Sequence, residues 1–277
     1  MACHSAARAS RLGAAGGRLA GAHVSTTTGT RVVLFDLDDT LMAHTRAVDL
    51  AIARAQLVAG GNFGADDPAV VQARWRELEE HHYARYLSGE LDYLGQRVHR
   101  ARDLHAPYGI HLDDEAALQW FAEYLHGYRD NWTLFDDVLP ALDALETAID
   151  GVRFGIITNG DLAFQTDKLE RIALWQRLGL HSGHGQLIAS GALGVTKPDP
   201  AIFAAAAAAF DAPAAACAYL GDRVRTDAIG AHEAGMLGIW LDRGRDRNET
   251  TSESHVDRPA GVPRIRSLRE LPALLAP

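Results

Sequence analysis

Apolar positions along this chain change period at one place early and repeatedly later on. Arg31-Val32-Val33-Leu34-Phe35 is a nearly continuous apolar run, mostly β-branched or aromatic, and it ends abruptly in Asp36-Leu37-Asp38-Asp39-Thr40. That pattern predicts a short buried strand opening into a polar turn. From about residue 45 to 130 strand signals nearly vanish. Val48 to Ala55 carries apolar groups at three- and four-residue spacing, and Asp67-Pro68 supplies a cap and a first-turn proline for a helix running to Leu87. Further helices are predicted over Leu91–Leu104 and from Asp113-Asp114-Glu115 onward, where Leu118, Trp120, Phe121 and Leu125 offer apolar surface. The region reads as a bundle of about four helices.

From Asp136 strands and helices alternate. Val138, Leu139, Leu142, Leu145 and Ile149 mark a helix, Val152–Thr158 a strand, and Leu162–Leu178 a single helix with Leu169, Ile172 and Trp175 inward. A weaker strand follows at Gln186–Ser190, a helix from Asp199, a strand at Cys217–Gly221, a helix at Thr226–Ala234 and a strand at Leu237–Leu241. Residues 243 to 259 read as an exposed loop, and Arg264–Leu275 as an edge strand with a terminal helix. Such alternation predicts an α/β, Rossmann-like parallel sheet with helices on both faces. Because one strand precedes the helical stretch and the others follow it, that stretch is an insertion. The expected division is an α/β core of residues 31–45 and 131–277, and an all-helical cap domain of residues 46–130 over the carboxyl edge of the sheet.

Composition narrows the function classes. With 36 acidic against 27 basic residues, the formal charge of −9 argues against binding to a nucleic acid polymer. No run approaches the roughly 18 apolar residues of a membrane span, so no membrane partner is expected. Two cysteines, Cys3 and Cys217, make no disulfide framework, Cys217 reading as a core thiol. A reducing, cytoplasmic location is the expectation. Residues 1–30 are rich in Ala, Gly, Ser and Thr, with Arg8, Arg11 and Arg18 and no acidic residue. They are read as a disordered N-terminal extension or the product of an upstream start codon, ahead of an organelle-targeting segment.

The chemistry lies at four strand ends: Asp36 to Thr40, Thr158-Asn159-Gly160, Lys197-Pro198, and Gly221-Asp222 with Asp227 close behind. In an open parallel sheet the carboxyl ends of strands form the ligand crevice, so these groups are expected to converge. Asp36 and Asp38 are close enough to repel unless a cation neutralises them or one holds a proton. Asp36 is therefore read as a nucleophile toward phosphorus, and Asp38 as the group that protonates the leaving oxygen and later takes a proton from water. Asp36, a main-chain carbonyl near Asp38, and Asp222 make a hard-oxygen site suited to Mg2+. Asp227 is expected behind that site, orienting a water or Lys197, unless it merely caps a helix. The Thr158 hydroxyl and the main-chain donors of Asn159 and Gly160 can hold phosphoryl oxygens. Lys197, the only cation in this set, can offset charge on Asp36 and on the transferring group. Asp39 and Thr40 favour a tight turn, and Thr40 can cap the segment that follows.

These motifs, in this order and spacing, resemble the haloacid dehalogenase-like hydrolase superfamily, in the phosphatase branch whose helical cap is inserted after the first motif. The resemblance spans residues 31 to about 275. It implies Asp36 as nucleophile, Asp38 as acid/base, Thr158 and Lys197 as phosphate ligands, and Asp222 and Asp227 as holders of magnesium. Leu169-Glu170-Arg171 and Ile157 to Gly160 are also similar to nucleotide 5'-monophosphatase-like members, and phosphoglycolate phosphatase-like members are a further comparison. Asp39 stands where many relatives have glycine and adds a nearby negative charge, whereas Asp38 argues against the dehalogenases, which lack an acid/base there.

The expected activity is magnesium-dependent hydrolysis of a small phosphate monoester through an aspartyl phosphate. The expected partner is a phosphorylated metabolite such as a nucleotide, phosphoglycolate or a sugar phosphate, acted on by a monomer or homodimer. The alternatives are a sugar-phosphate mutase with the same core, a 2-haloacid dehalogenase, and a non-catalytic interaction protein, which would be free to lose Asp36, Lys197 or Asp222. A response-regulator domain is disfavoured by the helical insert and by Asp38. Within the insert, His44, Arg46, His81, His82, Tyr83, Arg85, Tyr86 and Arg97, with Trp132 at its edge, are candidates to face the cleft, although a structural role is expected for most. His81 and His82, adjacent on a helix, cannot both face it.

Overall fold

The structure, a computed structural model, describes residues 30–244 and 257–276. The expectation for the N-terminal extension and most of that for the loop at 243–259 therefore lie outside the described residues. Strand β1 (Val32–Phe35) leads into five helices: α1 (His44–Ala59), α2 (Gly61–Ala65), α3 (Pro68–Leu87), α4 (Tyr93–His105) and α5 (Asp114–Asp130). There follow α6 (Val138–Ala148), β2 (Arg153–Thr158), α7 (Leu162–Arg171), α8 (Leu174–Arg177), β3 (Gln186–Ala189), α9 (Ser190–Leu193) and α10 (Pro200–Ala209). The chain then forms β4 (Cys217–Gly221), a wide helical turn over Val224–Ile229, α11 (Gly230–Glu233), β5 (Leu237–Leu241), β6 (Arg264–Ile265) and α12 (Leu271–Leu275).

The six strands form one parallel sheet in the order β3-β2-β1-β4-β5-β6. Strand β1 is central, with Phe35 level with Ile156 of β2 on one side and Leu220 of β4 on the other. Its residues alternate between two cores. Val33 and Phe35 join Val138, Leu142 and Leu220 on one face, while Val32 and Leu34 meet Ile202, Phe203 and Phe210 on the other. Burial on both faces explains why this strand reads as an unbroken apolar run. The chain leaves β1 toward β2 and later returns to its opposite side as β4, so the crevice beyond β1 is the topological switch point of the sheet.

Four local expectations are corrected. Leu162–Leu178 is not one helix: Ala173 adopts φ 60°, and the chain turns there so that both Leu169 and Leu174 are fully buried. The apolar period continues across the break, which hid it. Thr226–Ala234 begins as the wide turn rather than a regular helix, and Asp227 lies inside it rather than capping it from outside. The insert holds five α-helices and a 3-10 turn (Ala106–Tyr108), the additional α-helix being the short α2, which tucks Phe63 into the core. Finally, Thr40 caps nothing. Asp39 takes that role, accepting from Thr45 N at 2.9 Å and Thr45 Oγ1 at 2.7 Å in the first turn of α1. Asp39 has φ 63°, a conformation that glycine adopts freely and aspartate tolerates better than most residues. Its charge therefore serves α1.

Cys217 is buried at the start of β4. No helix among the described residues is long and apolar enough to cross a membrane.

Candidate active site

The chain bends immediately after Phe35, and Asp36 N donates to Leu220 O at 2.8 Å, extending the sheet by one residue. This anchors Asp36 at the end of β1 between the ends of β2 and β4. Its Oδ1 accepts from Lys197 Nζ at 2.7 Å. The same ammonium donates to Asp227 Oδ1 and to the Tyr219 hydroxyl, both at 2.7 Å, so its three protons are all committed. The Tyr219 hydroxyl lies 2.9 Å from Asp227 Oδ1 and 3.2 Å from Ile157 O, tying β4 to β2 beneath the site.

Asp36, Asp222 and Asp227 each present a carboxylate oxygen within 4.8 Å of the others. Asp222 is the outermost, and Asp227 the most deeply buried. The Oδ2 of Asp227 accepts from Arg223 N at 3.0 Å, folding the wide turn back under the end of β4. That fold depends on Gly221, since a Cβ there would collide with the Asp227 carboxylate. The structure thus brings Asp227 into the same group as Asp36 and Asp222.

Thr158 closes β2, and its buried hydroxyl accepts from Gln165 Nε2 at 2.9 Å. The side chain of Asn159 is engaged elsewhere: Oδ1 accepts from Lys197 N at 2.7 Å and Nδ2 donates to Lys197 O at 3.0 Å. Asn159 therefore fixes the lysine loop, and its own carbonyl accepts from the Tyr83 hydroxyl of α3 at 2.8 Å. Gly160 leaves room for Gln165, whose amide a Cβ there would strike.

Asp38 sits apart from the carboxylate triad, on the side facing the insert. Both of its oxygens accept from Lys168 Nζ at 2.7 Å, and Oδ2 lies 3.3 Å from Gln165 Nε2. His44 Nδ1 is 3.7 Å from Asp38 Oδ1 and 2.6 Å from the Tyr128 hydroxyl, while His44 Nε2 is 3.4 Å from Glu79. Lys197 is therefore not the only cation at the site. Lys168 and Gln165 escaped the sequence reading. Their one visible signal was a lysine and a glutamine three apart, on the same side as Leu169 in an otherwise amphipathic helix.

Burial pushes the Asp36 carboxyl up to about 6, against the pull of the Lys197 ammonium and with the added push of Asp227. Burial also pushes on Asp38, but Lys168 and His44 outweigh it and hold that carboxyl below the usual range. His44 resists desolvation because Asp38 and Glu79 favour its cation, and its pKa is raised. Lys197 is likewise held protonated against burial by Asp227 and Asp36.

Asp36, Asp222 and Asp227 form one carboxylate group beside Lys197, while Asp38 lies against Lys168 and His44. Within the first group carboxylates outnumber the ammonium three to one. Buried like charges at such separations are costly. The oxygen-only donor set of Asp36, Asp222 and Asp227 fits a hard divalent cation.

The parallel sheet carries its helical insertion after the first strand and gathers carboxylates at its switch point. Residues 30–235 match the family model of haloacid dehalogenase-like hydrolases, and the chain belongs to that family. It is 29% identical over 241 residues to the glyceraldehyde 3-phosphate phosphatase of Methanopyrus kandleri, covering 83% of this chain and 94% of that one. It is 30% identical over 256 residues to haloacid dehalogenase-like hydrolase domain-containing protein 3 of Danio rerio, covering 88% and 96%. Among solved structures, the putative HAD-hydrolase YfnB from Bacillus subtilis superposes with a TM-score of 0.68 at 20% identity, covering 89% of this chain and 99% of that one. This last likeness concerns the fold.

Proposed function

We propose that this protein is a magnesium-dependent phosphatase that hydrolyses a small phosphate monoester through a phosphorylated Asp36. One observation carries the reading. Asp36 and Asp38 leave the same strand end two residues apart, yet each is bound by a different buried lysine, Lys197 and Lys168. Asp36 shares Lys197 with the carboxylates that could hold a metal, which suits a nucleophile. Asp38, held below the usual range by Lys168 and His44, is ready as a base toward water and serves as an acid only after taking up a proton. The phosphatase name of the Methanopyrus relative supports the same choice of substrate class.

In the first half-reaction a carboxylate oxygen of Asp36 attacks phosphorus. The bond from phosphorus to the ester oxygen breaks, and Asp38 gives its proton to that oxygen, releasing an alcohol. In the second half-reaction water attacks phosphorus, Asp38 takes a water proton, and the bond from phosphorus to Asp36 breaks. Inorganic phosphate leaves, with Asp36 regenerated and Asp38 protonated again. Thr158 and the main-chain donors beyond it hold the non-reacting oxygens, and Asn159 keeps Lys197 beside them. Asp36, Asp222 and Asp227, with a main-chain carbonyl near Asp38, would hold magnesium, which supplies charge neutralisation for the phosphoryl group when bound. The helices of residues 46–130 act as the cap, excluding water and meeting the leaving group.

The test is a panel of nucleoside monophosphates, phosphoglycolate, sugar phosphates and p-nitrophenyl phosphate, assayed with and without magnesium on wild type and Asp36→Asn. Asp36→Asn is expected to keep its circular dichroism spectrum and lose turnover on every ester. Wild-type rates in the purified variant would end the nucleophile assignment.

A further inference from the structure

Asp38 is held more tightly than a residue in a polar turn needs to be. Both of its oxygens are bound by one ammonium group, Lys168 Nζ, at 2.7 Å. Lys168 is only 2% exposed, and its Nζ lies 5.2 Å from the Phe164 ring and 5.6 Å from the Tyr128 ring. Beside it, the Gln165 amide reaches Asp38 Oδ2 at 3.3 Å and the Thr158 hydroxyl at 2.9 Å. His44, tethered to Tyr128 at 2.6 Å, closes the remaining side at 3.7 Å.

A cation that contacts both oxygens of a carboxylate fixes rotation about its Cβ–Cγ bond, which a single hydrogen bond does not. The aromatic rings fix the ammonium in turn, since they favour a cation over their faces. The Gln165 bridge then sets the distance between the Asp38 carboxylate and Thr158. One helix, α7, thereby dictates how the acid/base sits relative to the phosphoryl-binding loop.

We infer that Lys168, aided by Gln165, is a positioning residue that aims the Asp38 carboxylate at the leaving-group oxygen. The inference rests on the reading of Asp38 as acid/base. The competing description is a buried ion pair that only fastens α7 to the end of β1. The two differ in what they predict for different leaving groups. An alkoxide needs a proton as it departs, and so needs an aimed Asp38, whereas p-nitrophenolate leaves without one.

The experiment uses the full chain with magnesium and compares wild type, Lys168→Met, Lys168→Arg and Asp38→Asn. Single-turnover release of alcohol is measured from a primary alkyl phosphate and from p-nitrophenyl phosphate, which reports the first half-reaction alone. Methionine keeps an unbranched stem between Phe164 and Tyr128. Lys168→Met is expected to slow alkyl release ~100-fold and nitrophenolate release less than ~10-fold, the size of a general acid contribution at its low end. Lys168→Arg should recover part of the alkyl rate. Both substrates are tested on the same preparation, so the ratio of the two rates is unaffected by any loss of folded protein. An equal loss on both substrates in Lys168→Met, with the ratio changed in Asp38→Asn, overturns the positioning role and leaves the acid/base reading standing. A wild-type ratio in Asp38→Asn removes that reading itself.

Discussion

Asn159 and Lys197 close a two-bond ring, in which the asparagine amide accepts from the lysine's main-chain N–H and donates to its carbonyl. A side chain that presents donor and acceptor together in one plane is needed to satisfy both groups. Leucine in its place would leave a main-chain N–H and C=O without these partners, at a cost of about 1–3 kcal/mol for each unsatisfied group that stays buried. Asn159→Leu is therefore expected to lower the urea midpoint and to reduce kcat by ~10-fold or more, because a loosened loop misplaces the Lys197 ammonium. Asn159→Asp should be at least as damaging, since a carboxylate oxygen would then face the Lys197 carbonyl. Equilibrium unfolding and steady-state kinetics on one ester check both outcomes.

The raised pKa of Asp36 gives a signed prediction for the metal. Asp36 titrates near 6 in the folded protein, against an ordinary value of 3.8. A cation bound through this carboxylate must displace its proton below about pH 6. Magnesium affinity should rise with pH up to that point and flatten above it, changing about tenfold per pH unit on the acid side. Linkage also fixes the stability trend of the metal-free protein. The folded state binds more protons than the unfolded state between the two pKa values, so this group's contribution falls as pH rises from about 4 to about 6. Magnesium should reverse that loss. Isothermal titration calorimetry at several pH values tests the first claim, and urea unfolding with and without magnesium tests the second. A pH-independent magnesium affinity between pH 5 and 7 would contradict the assignment.

What the sequence displayed and what it hid follow one physical distinction. Asp36, Thr158 and Asp222 were legible because each ends a buried strand, and strand ends are marked locally by an apolar run giving way to polar residues. The fold class followed from the same alternation. Lys168 and Gln165 were hidden because their role depends on which face of α7 lies against the end of β1, a long-range fact. The wide turn under Asp227 was hidden because helical periodicity does not distinguish it from a regular first turn. In the sequence Asp39 is only an extra charge near the site, because its left-handed φ, and the reach of its carboxylate to Thr45, are set by how α1 leaves the turn. In the insert, His81 is exposed while His82 is buried against Asp103 at 2.8 Å, which adjacent positions on a helix required.

Asp39 combines two demands that substitutions can separate. It holds φ 63° and it caps α1 through Thr45. Asp39→Gly should relieve the backbone but lose the cap, at about 1 kcal/mol. Asp39→Ala should lose the cap and also bear a left-handed backbone, adding about 1–2 kcal/mol. Asp39→Asn should be the mildest of the three, since asparagine tolerates this conformation and keeps an acceptor for Thr45 N. The expected order of urea midpoints is Asn above Gly above Ala. If alanine equals glycine, the backbone conformation contributes nothing to stability.

Two adjacent glutamates on α3 offer the sharpest contrast between buried and exposed charge. Glu79 Oε1 lies 3.0 Å from Arg100 Nη2, and the arginine side chain is only 5% exposed. Arg100 is held over the Trp75 ring at 4.3 Å, so it cannot swing into water without breaking the cap's aromatic core. Removing its partner leaves a buried, uncompensated cation, which typically costs 3–5 kcal/mol. Because Glu79 is itself 26% exposed, water can offset part of that loss, and about 2–4 kcal/mol is expected for Glu79→Ala. Glu80, one position on, makes a two-pronged pair with Arg223 at 3.1 and 3.2 Å across the cap–core boundary, but both side chains are more than half exposed. Glu80→Ala should cost less than about 1 kcal/mol, and that loss should shrink as salt is raised. The double variant Glu79→Ala with Arg100→Met removes both charges of the buried pair and should recover a substantial part of the loss caused by Glu79→Ala alone. Urea unfolding of these variants at low and high salt measures all three effects. Equal costs for Glu79→Ala and Glu80→Ala would mean that Arg100 finds solvent despite its position over Trp75.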